Sequence, residues 1–185
     1  MVRLNRIYTR TGDDGTTGLA SGERRRKDDP RLVAIGGVDE ANAALGLVRL
    51  HAEGEFDALL AQVQNDLFDL GADLATPSDD VAWTPIRIRA AQVVALEQAL
   101  DHHNEELQPL TSFILPAGNA LSAHLHLART LARRAERDAV ALAAIEPVNP
   151  EALKYLNRLS DLLFVLARHA NDKGRADVLW VPSKP

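Results

Sequence analysis

From residue 30 onward, apolar residues return every three or four positions in five separate stretches, and this spacing constrains the fold more than any other feature of the chain. In "FDALLAQVQNDLFDLGADLA" the residues Phe56, Leu59, Val63, Leu67, Leu70 and Leu74 fall on one face of a helix. "DPRLVAIGGVDEANAALGLVRL" places Leu32, Ile35, Val38, Ala41, Leu45 and Val48 in the same way, with Gly36 and Gly37 expected to weaken or bend the helix. "TPIRIRAAQVVALEQAL" opens with Thr84 as N-cap and Pro85 at the first helical position, which predicts a third helix running to about Leu107. The longest pattern, "NALSAHLHLARTLARRAERDAVALAAI", aligns Leu121, Leu125, Ala128, Ala132, Ala135, Ala139 and Leu142, and its alanines let neighbours approach closely. The last, "NPEALKYLNRLSDLLFVLARHAND", repeats the cap signal with Asn149 and Pro150 and continues through Leu153, Leu156, Leu163 and Leu166.

Five helices with short connections predict an all-α fold, a five-helix antiparallel bundle. Length and hydrophobic content, 185 residues and 46%, suit one core and a single domain over 1–185, with 76–85 as a loop between helices. A net charge of -5 argues against broad attraction to nucleic acid or an anionic membrane. The chain has no cysteine, which excludes disulfides, thiolate metal sites and a cysteine nucleophile. No apolar run is long enough to span a bilayer, and the opening "MVRLNR" has no signal-peptide stretch, so the expected location is cytoplasmic.

Before the helices stands "YTRTGDDGTTGL", residues 8–19. Glycines at 12, 15 and 18 allow the backbone close to a ligand, and Thr9, Thr11, Thr16 and Thr17 offer hydroxyl donors that suit phosphate oxygens. It is neither a Walker A sequence nor a dinucleotide fingerprint, and taken alone it reads as a set of turns. "SGERRRKDD" follows, with Arg24, Arg25, Arg26 and Lys27 in succession, and by itself reads as a solvated connector. In "ARTLARRAER" the residues Arg129, Arg133 and Arg137 form one stripe at i, i+4, i+8, with Arg134 beside it and Glu136 able to pair with one or more of them. Such a stripe is a solvent-facing side with local ion pairs, or a row of planar donors for a phosphate chain. His102–His103 are adjacent and His124 and His126 are two apart, with no Glu-x-x-His pattern, so both pairs are expected at the surface or a helix end rather than at a metal. Asn157 and Ser160 lie near the apolar stripe of the last helix, so at least one is expected to be partly buried.

Together and in this order, "TRTGDDGTTGL", "SGERRRKDD", "VDEANAALG", "FILPAGN" with "ARTLARRAER", and "YLNRLSDLLFVLAR" resemble the PduO-type ATP:corrinoid adenosyltransferase family over nearly the whole chain. The resemblance implies a homotrimer with sites between subunits, transferring the 5′-deoxyadenosyl group of ATP to Co(I) of cobalamin and releasing triphosphate. It implies that residues 1–29 form the ATP-binding segment, with Thr9, Arg10, Thr11, Gly12, Thr16, Thr17 and Lys27 around the nucleotide. Arg133, Arg134, Glu136, Arg137 and Asn157 would form the other wall, Asp39 and Arg129 a pair bridging subunits, and Phe113 the aromatic residue at the corrinoid. Mg²⁺ would arrive with ATP rather than be held by protein ligands alone, and a reductase and an adenosylcobalamin-dependent mutase are the implied partners. Arg10 stands where lysine is frequent in the family, and Ala117 where a second glycine is common. Two rival readings use the same residues. A phosphoryl-transferring bundle would release inorganic phosphate, and a trimeric adaptor would use the arginines only for subunit salt bridges.

Overall fold

The computed structural model describes residues 7–77 and 81–183; the expectation drawn from the opening "MVRLNR" and part of the 76–85 loop lie outside the described residues. Five helices follow a short hairpin: β1 (Thr16–Gly18), β2 (Arg24–Arg26), α1 (Pro30–Arg49), α2 (Gly54–Leu74), α3 (Ala90–Asn104), α4 (Ala120–Ala143) and α5 (Pro150–Ala170). The helices make the expected all-α bundle. The hairpin is an addition: β1 and β2 pair antiparallel with Thr17 opposite Arg25, so the arginine run is half of a ribbon rather than a connector. No described helix is long and apolar enough to cross a membrane.

Side-chain caps fix three helix starts, of which the Asn149–Pro150 start was the one expected. Asp29, Asn119 and Asn149 each accept a backbone N–H of the first turn, from Arg31 at 2.8 Å, Ser122 at 2.8 Å and Glu151 at 3.0 Å, and Pro30 and Pro150 stand at first helical positions. The third start is corrected. Helix α3 begins at Ala90, not near Pro85, and its N-cap is Arg89, whose backbone N–H is capped by the Gln92 side chain at 3.0 Å. The physical reason is Asp73 at the end of α2. Its buried carboxylate accepts from Arg87 and from the Ile88 N–H, both at 2.8 Å, which keeps 87–88 extended and delays the helix. The helix also stops at Asn104, three residues before the expected end.

Gly36 and Gly37 do not bend α1, which runs unbroken through them. A Cβ on Gly37 would lie 3.1 Å from the Ala135 backbone, so the missing side chain sets how near α1 can approach α4. Ala34 and Ala41 on α1, and Ala128, Ala132, Ala135 and Ala139 on α4, are all buried and form a seam of small side chains. On the other side of α4 runs α5, whose Leu156, Leu159, Leu162, Leu163 and Leu166 fill the centre with Leu60, Leu67 and Leu70 of α2. One polar contact crosses this core: the Tyr155 hydroxyl donates to Asp66 at 2.9 Å, and burial beside that carboxylate pushes the phenol's pKa up.

The bundle has two chemically distinct ends. At one, the starts of α1, α3 and α5 meet the ends of α2 and α4, and the hairpin is fastened there. Arg31 is 1% exposed and donates to Glu146 at 2.7 and 3.0 Å and to the Leu74 carbonyl at 2.7 Å. Arg25 of β2 reaches the other Glu146 oxygen at 2.5 Å. At the far end, Arg168 of α5 pairs with Asp177 at 2.8 Å and donates to the Gln108 carbonyl, which ties together the two segments that flank Phe113 and Trp180.

Candidate functional site

The front loop is organised by its own side chains. Asp14 accepts from the Thr16 N–H at 2.9 Å and hydroxyl at 2.7 Å, and the Thr9 and Thr11 hydroxyls lie 2.8 Å apart. Arg24 donates to the Thr11 carbonyl at 2.5 Å and to the Thr16 hydroxyl. Hydrogen bonding from Thr16, with Arg24 nearby, holds the Asp14 carboxyl below its ordinary range. Arg10 has a left-handed backbone, φ 63°, and projects its guanidinium over Tyr8. Gly12 is required for space: a Cβ there would lie 3.0 Å from the Thr16 carbonyl and 3.2 Å from the Lys27 ammonium. Lys27 therefore hangs over the loop, and its side chain has no ion-pair or hydrogen-bond partner among the described residues. Thr17 is half-buried in β1.

The solvated-connector reading of "RRRK" fails for Arg25 in particular. Its guanidinium meets Glu23, Asp29 and Glu146, so β2 is clamped to the bundle while Lys27 stays free. Hydrogen bonds from Arg25 and then Arg31 hold the Glu146 carboxyl below its ordinary value of 4.5. A carboxyl with a depressed native pKa contributes stability that is complete above the unfolded value and disappears as pH falls through the folded one. Breaking a buried pair costs on the order of 3–5 kcal/mol, and the quarter exposure of Glu146 moves the expectation toward about 2 kcal/mol. Glu146→Gln is thus expected to lower urea-unfolding stability by about that amount at pH 7, with the gap to wild type closing below pH ~4.5. An equal gap at pH 7 and pH 3 would remove the ion pair as its cause.

On α4 the arginine stripe is not uniform. Arg133 and Arg137 are exposed as expected, but Arg129 is half-buried, with its Nε unpartnered and its guanidinium 5.9 Å from the Phe164 ring. Burial, and Arg133 beside it, lowers the Arg129 pKa. Glu136 does not pair with the stripe. It accepts from the Asn157 amide at 2.8 Å, while Arg134 pairs with Glu40 of α1. Asn157 in turn accepts from Arg158 at 2.5 Å, and Ser160 is buried and donates to the Asn157 carbonyl. Asp39 is exposed on α1 beside a groove of about 460 Å³ lined by Leu32, Ile35, Leu67 and Phe68. Among the described residues, nothing in 7–19 hydrogen-bonds or ion-pairs with 129–137, and Asp39 makes no ion pair with Arg129. A single copy does not bring the two halves of the expected site together.

Phe113 is 78% exposed and stands edge-on to Trp180, with ring centroids 6.1 Å apart. The Trp180 N–H donates to the Phe113 carbonyl at 2.8 Å, and Ile114 bridges Leu179. Leu115, Leu179 and Val181 are also exposed, so a wide apolar patch surrounds the phenyl ring. The bridge between Ile114 and Leu179 was not anticipated; its only trace in the sequence is the apolar "VLWV" after the last helix. Behind Ala117 lies Gly118, φ 117°, where a Cβ would overlap Asn171. The demanding glycine is thus at 118, and Ala117 offers its carbonyl to Asn171 at 3.1 Å without strain.

The expected helix-end position holds for His102 and His103, both in the last turn of α3, although His103 is buried at 5% exposure; His126 departs from the expectation, buried at 2% within α4. Apolar neighbours outrank sequence spacing here: Phe56 packs on His103 and Phe164 on His126.

Hydroxyls, an ammonium without a partner among the described residues and a close-packed glycine thus lie at one end of a helical bundle, exposed guanidiniums along one helix, and an aromatic patch at the other end. The cobalamin adenosyltransferase family model matches residues 7–170. A corrinoid adenosyltransferase of Mycobacterium tuberculosis is 53% identical over 98% of this chain and 95% of its own. The corrinoid adenosyltransferase PduO of Salmonella typhimurium is 44% identical over 96% of this chain and 54% of its own. A variant PduO-type ATP:corrinoid adenosyltransferase from Lactobacillus reuteri, complexed with cobalamin and ATP, superposes with a TM-score of 0.89 at 38% identity, covering 97% of this chain and 98% of that one. The chain belongs to the cobalamin adenosyltransferase family.

Proposed function

We infer that the reaction of this chain is ATP:cob(I)alamin adenosyl transfer: the C5′–O bond of ATP breaks, a cobalt–carbon bond forms with the electron pair of Co(I), and triphosphate leaves. It is a transferase. The observation that carries the reading is the separation of donors from the apolar patch. Thr9, Thr11, Thr16, Thr17, Arg10 and Lys27 face one kind of ligand, and Phe113 with Trp180 another.

Co(I) is a strong nucleophile and needs no base from the protein, so the work left to the side chains is positioning and charge stabilisation. Lys27 and the threonine hydroxyls hold phosphate oxygens, and Arg133, Arg134 and Arg137 take charge on the leaving triphosphate. Glu136 and Asn157, already bonded to each other, orient the nucleoside end. Mg²⁺ bound with ATP would neutralise phosphate charge beside these side chains. Phe113 presents an apolar surface that excludes water and bases from the lower face of the corrinoid, which makes Co(II) easier to reduce.

The two halves of the site meet if copies assemble as a homotrimer, with the loop of one copy against α4 of the next. The apolar groove beside Asp39 supports this, as does the unpaired, half-buried Arg129, which would find Asp39 across the interface. The protein would act in the cytoplasm, receive electrons from a reductase and pass its product to an adenosylcobalamin-dependent mutase. The test is anaerobic incubation with MgATP and chemically reduced cobalamin. Light-sensitive alkylcobalamin with stoichiometric triphosphate is expected. Inorganic phosphate instead would favour phosphoryl transfer, and absence of ATP binding would favour the adaptor.

A further inference from the structure

At the end of the bundle away from the hairpin, the last turn of α3 lies against the first turn of α2. There one ligand atom each from Glu55, His102 and His103 falls within 4.8 Å of the others. We propose that Glu55, His102 and His103 bind a divalent transition-metal ion of the Zn²⁺ class, independently of the adenosyl-transfer site.

Three observations converge on this. The donor set is two imidazole nitrogens and a carboxylate oxygen, which matches Zn²⁺ rather than Mg²⁺ or Ca²⁺. His103 is 5% exposed and its ring makes no hydrogen bond to another described residue, so its nitrogens are not committed to a protein partner. The rings of His102 and His103 are 5.0 Å apart and inclined at 60°, so these adjacent residues bring their rings together in the last turn of α3. His169 packs on His103 but is held by Glu106 at 2.8 Å and stays outside the donor set. Sequence spacing could not reveal the site because its third member is nearly fifty positions away on another helix. Three protein donors in tetrahedral coordination leave one position for water. The ion would join α2 to α3 just where the chain departs toward Phe113.

Titrating the full chain with ZnCl2 in a calorimeter, without nucleotide, is expected to show one ion per chain, with a Tm raised by zinc and restored by EDTA. The double variant Glu55→Gln/His102→Gln alters two exposed side chains and should keep the metal-free Tm, while zinc affinity falls at least about tenfold and the Tm rise disappears. His51→Gln, at an exposed histidine stacked on His124, should leave both unchanged. Zinc affinity in the double variant equal to wild type, loss of binding in His51→Gln, or no zinc binding by wild type at micromolar concentration would each overturn the proposal.

Discussion

Arg133→Ala is expected to reduce kcat/KM for ATP by roughly 10²–10³-fold, the loss seen when one donor to developing negative charge is removed, while the protein stays folded. Arg133 is exposed on α4, and its side chain has no ion-pair or hydrogen-bond partner among the described residues; only its carbonyl is used, by Arg137 at 3.4 Å. Nothing native is broken by removing the guanidinium, so unfolding stability should change by less than about 0.5 kcal/mol. A lysine at 133 should recover little, because an ammonium keeps the charge but loses the two-point grip on a phosphate. Arg137→Ala should act in the same direction. Steady-state kinetics over a range of ATP, beside a thermal melt of each variant, separates these effects; wild-type ATP dependence in Arg133→Ala would take Arg133 out of the site.

Phe113→Ala is expected to divide the reaction differently. The phenyl ring is mostly exposed and touches chiefly the edge of Trp180, so its loss costs little stability. KM for ATP should hold within about twofold, since the ring is remote from the phosphate donors. Turnover that begins from Co(II) should fall by about tenfold or more, ~1.4 kcal/mol per decade, because water regains access to the lower face. Turnover from chemically pre-reduced Co(I) should suffer less. Equal loss from both starting states would assign Phe113 to corrinoid binding rather than to the reduction step.

These expectations rest on residues whose roles were unevenly legible in the sequence. The five helices were legible because each carries its own apolar period, and the caps at Asn149 and Pro150 because they act on their immediate neighbours. The start of α3 was not legible. A local reading of Thr84 and Pro85 has no knowledge of Asp73, which holds Arg87 and Ile88 extended from another helix. The hairpin was hidden for a similar reason: three arginines in a row look solvated until Glu146, 121 positions from Arg25, supplies the partner. Along the loop and α4 the residue types suit phosphate oxygens, but each stretch alone reads as turns or a solvated face, and only their joint order points to a site. The pairings of these residues were not legible. Glu136 joined Asn157, Arg134 joined Glu40, and Arg129 sank against Phe164, each decided by which helix lies alongside.

The alanine seam between α1 and α4 determines where this molecule can yield. With Gly37 nearly touching the Ala135 backbone, there are no long side chains to re-rotamerise, and any slide or roll of α4 would drive main chain into main chain. The guanidinium row is therefore carried on a helix whose approach to α1 is set by main chain, and the side chains left free to vary lie in the hairpin before α1 and the segment after α5. Engineering a different nucleotide or corrinoid preference should accordingly succeed through substitutions in those two flanking segments, and fail when directed at the helix that carries the charge.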